Sequence, residues 1–357
     1  MSDIGWKTGF EIELLAPAGK SRRDLAQAIA QKAGGHAKRC FYPQSEPSVV
    51  EGTPVFENLI LGFNAYDLKG DLIATCVDDL TIRHDLDQMR ESLADWYRIV
   101  SDDARLLRLV MAQCDPDADR QSVLLPVADL FGTDLVEEDD LVRLADSMSA
   151  PIALAASLPG ERERPCELIT PPIEVNHRER LQSLLIAAED LGFSVPVEAA
   201  VHVHFDAQRL CNAQVFSHLV QALSRHGPQL RRLVSTNPNC VRLAPVPTWL
   251  TKVTKTEAFQ RMEWGDACAL LKENKLSKYC DYNFLNLVHA FPGKNTFEVR
   301  IFPGSMDAAQ IVEFASLFEA ILNWCIDAPS GSKPERRLKH FIAALPLSAD
   351  SKQKWLR

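Results

Sequence analysis

Glu298 and Arg300 stand two residues apart in Thr296-Phe-Glu-Val-Arg-Ile-Phe-Pro-Gly304. If this stretch is a β-strand, both point the same way, opposite Phe297, Val299 and Ile301. The alternation recurs twice. Residues 9–15 set Phe10, Ile12 and Leu14 against Glu11 and Glu13, and residues 201–206 set Val201, Val203 and Phe205 against His202, His204 and Asp206. One such strand alone is most simply a solvated edge. Three from distant parts of the chain, whose polar faces hold Glu, His, Asp and Arg with almost no Thr, Lys or Ser, predict something else. They predict an antiparallel sheet backed by helices on its apolar side, with the other face as the floor of an active site.

Glu11 and Glu13 would lie about 7 Å apart along one strand face. At an effective dielectric near 20 they repel by roughly 2 kcal/mol, and Glu298 and Glu167 add further pairs if they share the floor. Positive charge must sit there. Arg300 supplies one, and divalent cations are the usual answer where several carboxylates converge. Excess oxygen ligands with one or two imidazoles suit Mg²⁺ or Mn²⁺ better than zinc. A lone histidine is more often packed than ligating; His202 and His204, at i and i+2 beside Asp206, shift that balance. There is no Gly-x-x-x-x-Gly-Lys-Ser/Thr loop, so a nucleotide would not be held in the P-loop manner.

The elements that must carry these residues alternate between strand and helix, an α+β pattern. The first strand is followed by a helix capped at Ser21 and ended by Gly34-Gly35. A hairpin runs through Asn64-Leu68 and Leu72-Val77 into Asp78-Asp79-Leu-Thr81, adjacent acids that ordinarily make a solvated turn. Met89, Leu93, Trp96, Ile99, Val100, Leu106, Leu107 and Val110 predict one long amphipathic helix over 86–113. Residues 114–165 read as a mixed connection, a lid or partner surface, with the acidic run at 136–140 as a solvated helix start. Cys166-Glu-Leu-Ile-Thr-Pro-Pro172 is a short strand stopped by prolines. Helices over 177–191, 213–226, 257–274 and 307–326 are expected, with an ordered loop over 237–247 and a strand around 282–288. The basic stretch 333–357 is a helical tail behind a catalytic domain of 1–332.

The chain has 357 residues, 46% hydrophobic and 24% charged, enough to bury a large core. A net charge of -9 and pI near 5.5 give no basic footprint, which argues against nucleic acid and anionic membrane as partners. No apolar run comes near the ~20 residues of a membrane helix and the start resembles no signal peptide, so the expected location is the cytoplasm. The nine cysteines contain no Cys-x-x-Cys pair and are expected to be reduced, mostly buried thiols.

Taken in order, Gly9-Phe-Glu-Ile-Glu13, Glu167-Leu-Ile-Thr-Pro-Pro172, Val201-His-Val-His-Phe-Asp206, Tyr279 to Asn286 and Thr296 to Asp307 resemble the successive motifs of the putative amidoligase family. That family belongs to the carboxylate-amine ligases of the glutamine synthetase and γ-glutamylcysteine synthetase superfamily. The motifs are short, and their order over roughly residues 5–325 makes the match specific. The resemblance implies a curved, glutamine synthetase-like antiparallel sheet, ATP with Mg²⁺ bridging its phosphates, and an acyl-phosphate intermediate. Carried over by position, Glu11, Glu13, Glu167 and Glu298 would be metal ligands, joined by His202 of the two histidines, with His204 on the nucleotide side. Arg300 would face the transferred phosphate, and Arg242 matches a substrate-side arginine. Asp78 and Asp79 match an acidic turn that lacks here the family's Gly-Ser, and either is a candidate base for the incoming ammonium. The partners would be a small-molecule or peptide carboxylate and an amine, and a homo-oligomer is compatible with all of this. A metal-dependent hydrolase is the alternative; it needs neither ATP nor an arginine beside the cations. A calcium-binding or structural module is the third reading.

Overall fold

The computed structural model describes residues 4–47, 55–101, 103–146, 148–240, 242–274, 276–290 and 294–356. In chain order the elements begin β1 (Thr8–Leu15), α1 (Arg22–Lys32), β2 (His36–Pro47), β3 (Val55–Tyr66), β4 (Leu72–Val77), β5 (Tyr97–Ser101), α2 (Ala104–Gln113), α3 (Leu125–Phe131), β6 (Leu135–Glu138), β7 (Leu141–Ala145), β8 (Pro151–Ser157) and β9 (Pro165–Ile169). They continue α4 (His177–Asp190), β10 (Ala200–Asp206), α5 (Ala213–Leu233), α6 (Thr248–Thr254), α7 (Glu257–Gln260), α8 (Trp264–Lys272), β11 (Tyr282–Asn283), α9 (Leu285–His289), β12 (Thr296–Pro303), α10 (Ala308–Asp327), α11 (Leu338–Ala344) and α12 (Ala349–Leu356). The chain divides into two compact units, the first Met1–Glu13, Thr170–Ile186 and Val197–Arg357, the second Leu14–Ile169 and Ala187–Pro196.

In the first unit the strands run in the order β11, β12, β10, β1, each antiparallel to its neighbour. The predicted alternation holds: Phe10, Ile12, Val201, Val203, Phe205, Phe297, Val299 and Ile301 are all fully buried. Burying each such side chain contributes about 1.5–3 kcal/mol. Rings fasten this face to helices, with Phe302 stacked on Phe314 of α10 at 5.0 Å and edge-on to Phe318 at 5.3 Å. Asn212 caps α5 by accepting from Gln214 and Val215 N–H, and Asp307 caps α10 through Ala309 N–H. Against the expectation that no apolar run comes near membrane length, α10 is long and apolar enough to cross a bilayer; 56% of that window is buried within the protein, as in a core helix.

The second unit orders its strands β9, β4, β3, β5, β8, β7, β6, all antiparallel, with β2 along the other side of β3. α1 starts as predicted: Asp24 accepts from the backbone N–H and hydroxyl of Ser21, and Gly34 takes the left-handed φ of +69° that ends the helix.

Several expectations fail here. The long helix over 86–113 does not form. Residues 97–101 are instead strand β5, with Ile99 opposite Leu59 and Ala155, and the helix begins only after Asp103 caps it. A Tyr-Arg-Ile-Val run serves strand as well as helix, and its β-branched and aromatic residues favour the strand; Met89, counted as a helix core position, is 91% exposed. Residues 114–165 are no mere connection. Val123, Leu124, Val127, Val142, Leu144 and Ala155 share one core with Leu59, Leu61, Tyr97 and Ile99. The acidic run at 136–140 is the β6–β7 hairpin, turning at Asp139 (φ +47°), and not a helix start. In the first unit, the helix expected over 257–274 breaks into α7 and α8, and the strand expected over 282–288 pairs only through Tyr282 and Asn283 before α9 begins. The tail is helical, as expected, in two pieces, α11 and α12, and packs on the first unit: Phe341 stacks on His226 at 4.9 Å and Trp355 meets Phe314 at 6.2 Å.

Candidate active site

Register places the polar residues of the first unit. Glu11 lies opposite His202 across β1 and β10, His204 opposite Glu298 across β10 and β12, and Asn283 opposite Glu298 across β11 and β12. Because partners directly across a ladder face the same side, these groups converge. Glu11 Oε2 is 3.2 Å from His202 Nδ1, and Glu11 Oε1 is 3.1 Å from His204 Nε2. Glu298 Oε1 lies 3.7 Å from His202 Nδ1, 3.9 Å from His204 Nε2 and 2.5 Å from Arg300 Nη1. Glu13 approaches His202 Nε2 at 3.6 Å and accepts from Ala200 N–H at 2.8 Å.

Beside Arg300, β12 carries an irregularity the sequence does not announce. The β10–β12 register slips by one residue between the pairs Val201–Phe302 and Val203–Val299, so β12 carries an extra residue near Arg300. A bulge of this kind redirects side chains, which is why Ile301 and Phe302 are both buried although adjacent. Its backbone is held from outside the strand. Arg300 N–H donates to Asp281 O, and Thr236 Oγ1 donates to Ile301 O at 2.6 Å. Asp281 is itself paired with Arg231 of α5.

The electrostatics follow from burial and proximity. Burial alone would raise the Glu11 carboxyl, yet His204 and His202 hold it well below the usual carboxylate range. Burial would likewise raise Glu298, and Arg300 and His204 pull it down. For His204, burial disfavours the charged ring, but Glu11 and Glu298 outweigh it and push its pKa up to about 9. A raised histidine stabilises the fold fully below its ordinary value near 6.5 and loses that contribution as pH rises through about 9. Melting of chelator-treated protein is therefore expected to fall between pH 6.5 and 9, with a shallower fall in His204→Asn; equal slopes would refute the assignment.

The arrangement fits a divalent cation. One oxygen of Glu11, one of Glu298 and a ring nitrogen of His204 lie within 4.8 Å of one another. His204 Nε2 is buried and lies 3.1 Å from Glu11 Oε1. Two carboxylate oxygens and an imidazole nitrogen gathered in this way are donors of the kind that could hold such an ion.

Of the other residues singled out from sequence, Arg242 belongs to the first unit and lies 5.6 Å over the Tyr279 ring. Glu167, Asp78 and Asp79 belong to the second. Glu167 sits on β9 opposite Val77. Asp78 is fully buried in a two-pronged pair with Arg162, whose Nη1 also donates to Ile82 O at 2.6 Å. Asp79 accepts from Thr81 N–H at 2.8 Å. Arg162 was missed because Glu-Arg-Glu-Arg reads as surface, and Asn283, which donates to Glu298 Oε2 at 2.7 Å, because a two-residue strand has no periodicity to detect.

None of the curated proteins compared matches the chain. A family model described as "Putative amidoligase enzyme" matches residues 5–322, a span that contains every residue of the polar floor. At that coverage the chain belongs to the putative amidoligase family, enzymes of the ligase type.

Proposed function

We propose that the chain is an ATP-dependent carboxylate-amine ligase that forms an amide bond through an acyl phosphate. The convergence of Glu11, Glu298 and His204 with Arg300 gripping Glu298, in a chain of the amidoligase family, carries the proposal. Glu11, Glu298 and His204 would hold Mg²⁺ or Mn²⁺, with Glu13 and His202 packed beside them. A bound cation would neutralise charge on the nucleotide phosphates.

The work of the chain is positioning and charge. A carboxylate oxygen attacks the γ-phosphorus and ADP leaves; the amine nitrogen, having lost a proton, attacks the acyl carbon and phosphate leaves. Arg300 would meet the phosphoryl oxygens with its guanidinium while staying tied to Glu298. Its Nε is buried and has no hydrogen-bond partner among the described residues, so a donor is left for a ligand. The carboxylate would belong to a small molecule or a peptide. The hydrolase alternative leaves Arg300 without a role.

Hydroxylamine is the test, because a small strong nucleophile intercepts an acyl phosphate. With Mg-ATP and a panel of amino acids, their γ-carboxyl compounds and short peptides, a hydroxamate is expected together with ADP and phosphate. A hydrolase gives no ATP-dependent hydroxamate and a binding module gives no product. ADP release across the whole panel without hydroxamate would leave an ATPase and sink the acyl phosphate.

A further inference from the structure

Two further side chains, Thr296 and Asn283, hold members of the floor. Thr296 is on β12, two residues before Glu298 and so on the same face. Its Oγ1 lies 3.2 Å from His204 Nδ1 and also accepts from Asn286 Nδ2 at 3.4 Å. Asn283 is buried, donates to Glu298 Oε2 at 2.7 Å, and is itself fixed by accepting from Leu285 N–H at 2.9 Å.

We infer that Thr296 and Asn283 are positioning residues that aim His204 Nε2 and Glu298 Oε1 at a single cation; the inference rests on the cation reading above. An imidazole can ligate only through a nitrogen whose lone pair is free, and its other nitrogen must then carry the proton. In the inferred tautomer Nδ1–H donates to Thr296 Oγ1, 3.2 Å away, which leaves Nε2 as the ligating atom. Nε2 is the ring atom that faces Glu11 and Glu298. A carboxylate whose two oxygens are free to exchange loses part of its binding strength to rotation. Asn283 occupies Oε2, and the remaining oxygen, Oε1, is the one close to Arg300, His202 and His204. Neither Thr296 nor Asn283 needs to touch the cation. Both are supplied by the elements that frame the bend between β11 and β12, so the aim of the ligands is set by β11, α9 and the start of β12.

Calorimetric titration with Mn²⁺ alone, without nucleotide, tests this on wild type, Thr296→Val and Thr296→Ser. Thr296→Val keeps shape and loses the acceptor; it is expected to bind Mn²⁺ about 10–100-fold more weakly, the usual effect of removing a partner of a metal-ligating side chain. Thr296→Ser keeps the oxygen and should stay within about threefold, a rescue that a purely structural role for the threonine methyl would not give. Pulsed EPR of bound Mn²⁺ should show an imidazole nitrogen coupling in wild type and Thr296→Ser that weakens in Thr296→Val. Should Thr296→Val fail to fold, Asn283→Leu is read the same way, with the loss expected in affinity. Undiminished binding in Thr296→Val, or Thr296→Ser falling as far as Thr296→Val, overturns the inference while the cation reading stands. Wild type that binds no Mn²⁺ overturns both.

Discussion

Replacing Glu298 by glutamine is expected to weaken Mn²⁺ binding by at least about 100-fold, about 2.8 kcal/mol, while the strand keeps its place. The strand survives because its apolar face, Phe297, Val299 and Ile301, is untouched and the amide has the shape of the carboxylate. Binding fails for two reasons that add. One of the two anionic oxygens that converge with His204 is lost. In addition Asn283 donates to Oε2, so the new side chain will turn its carbonyl oxygen there and present its NH₂ to Arg300 and the imidazoles. The cation-free variant should also melt lower, because Arg300 and a protonated His204 keep their charges after their buried partner is gone. Calorimetry with Mn²⁺, with and without a non-hydrolysable ATP analogue, reads the first effect and thermal melting the second. Unchanged affinity would remove Glu298 from the site.

What the sequence reveals well is what alternates. Phe297, Val299 and Ile301 against Glu298 and Arg300 is a period of two that only a strand can satisfy, and the same signal in Glu11-Glu13 and His202-His204 placed all three strands in one antiparallel sheet. Ser21 and Gly34 marked the ends of α1 because a cap and a left-handed C-terminus each demand particular residue types. Pairing across the strands then fixes most of the polar floor with no further information.

The failures share a physical cause, which is that tertiary neighbours decide between local states of similar energy. Tyr97 to Ser101 could have extended the helix that follows; β3 and β8, on either side, supply hydrogen bonds that only a strand can use. Residues 114–165 looked irregular because their core positions are completed in part by β3, β5 and α2, elements that lie earlier in the chain. The β12 bulge has no signature in Val-Arg-Ile-Phe, since any residue can be the extra one. Arg162, Asn283 and Thr236 matter through partners many residues away: Arg162 through Asp78, Asn283 through Glu298, Thr236 through Ile301. Which of the two histidines ligates is a separate matter: position along the strand favours His202, which lies beside Glu11 and Glu13, while His204 lies beside Glu11 and Glu298 with Thr296 Oγ1 at its Nδ1.

Arg300→Lys keeps the positive charge at the bulge and is expected to cut turnover at least tenfold, about 1.4 kcal/mol in the barrier, with nucleotide binding within a few-fold of wild type. The guanidinium offers several donors in a fixed plane, so one edge can hold Glu298 while another meets the phosphoryl group. Here Nη1 is spent on Glu298 Oε1 at 2.5 Å, and the buried Nε is still available. A lysine has one compact ammonium on a flexible stem. Placed between Glu298 and a phosphoryl oxygen it can favour the carboxylate, which is always present, and the charge that builds during transfer goes unmet. The backbone should not move, because Asp281 O and Thr236 hold it through main-chain atoms that the substitution leaves in place. The loss should therefore appear in kcat and in hydroxamate yield, with little change in the affinity for Mg²⁺ and an ATP analogue. If turnover survives intact, Arg300 serves only as the counter-ion of Glu298, and the charge on the transferred phosphoryl group must be met by another side chain.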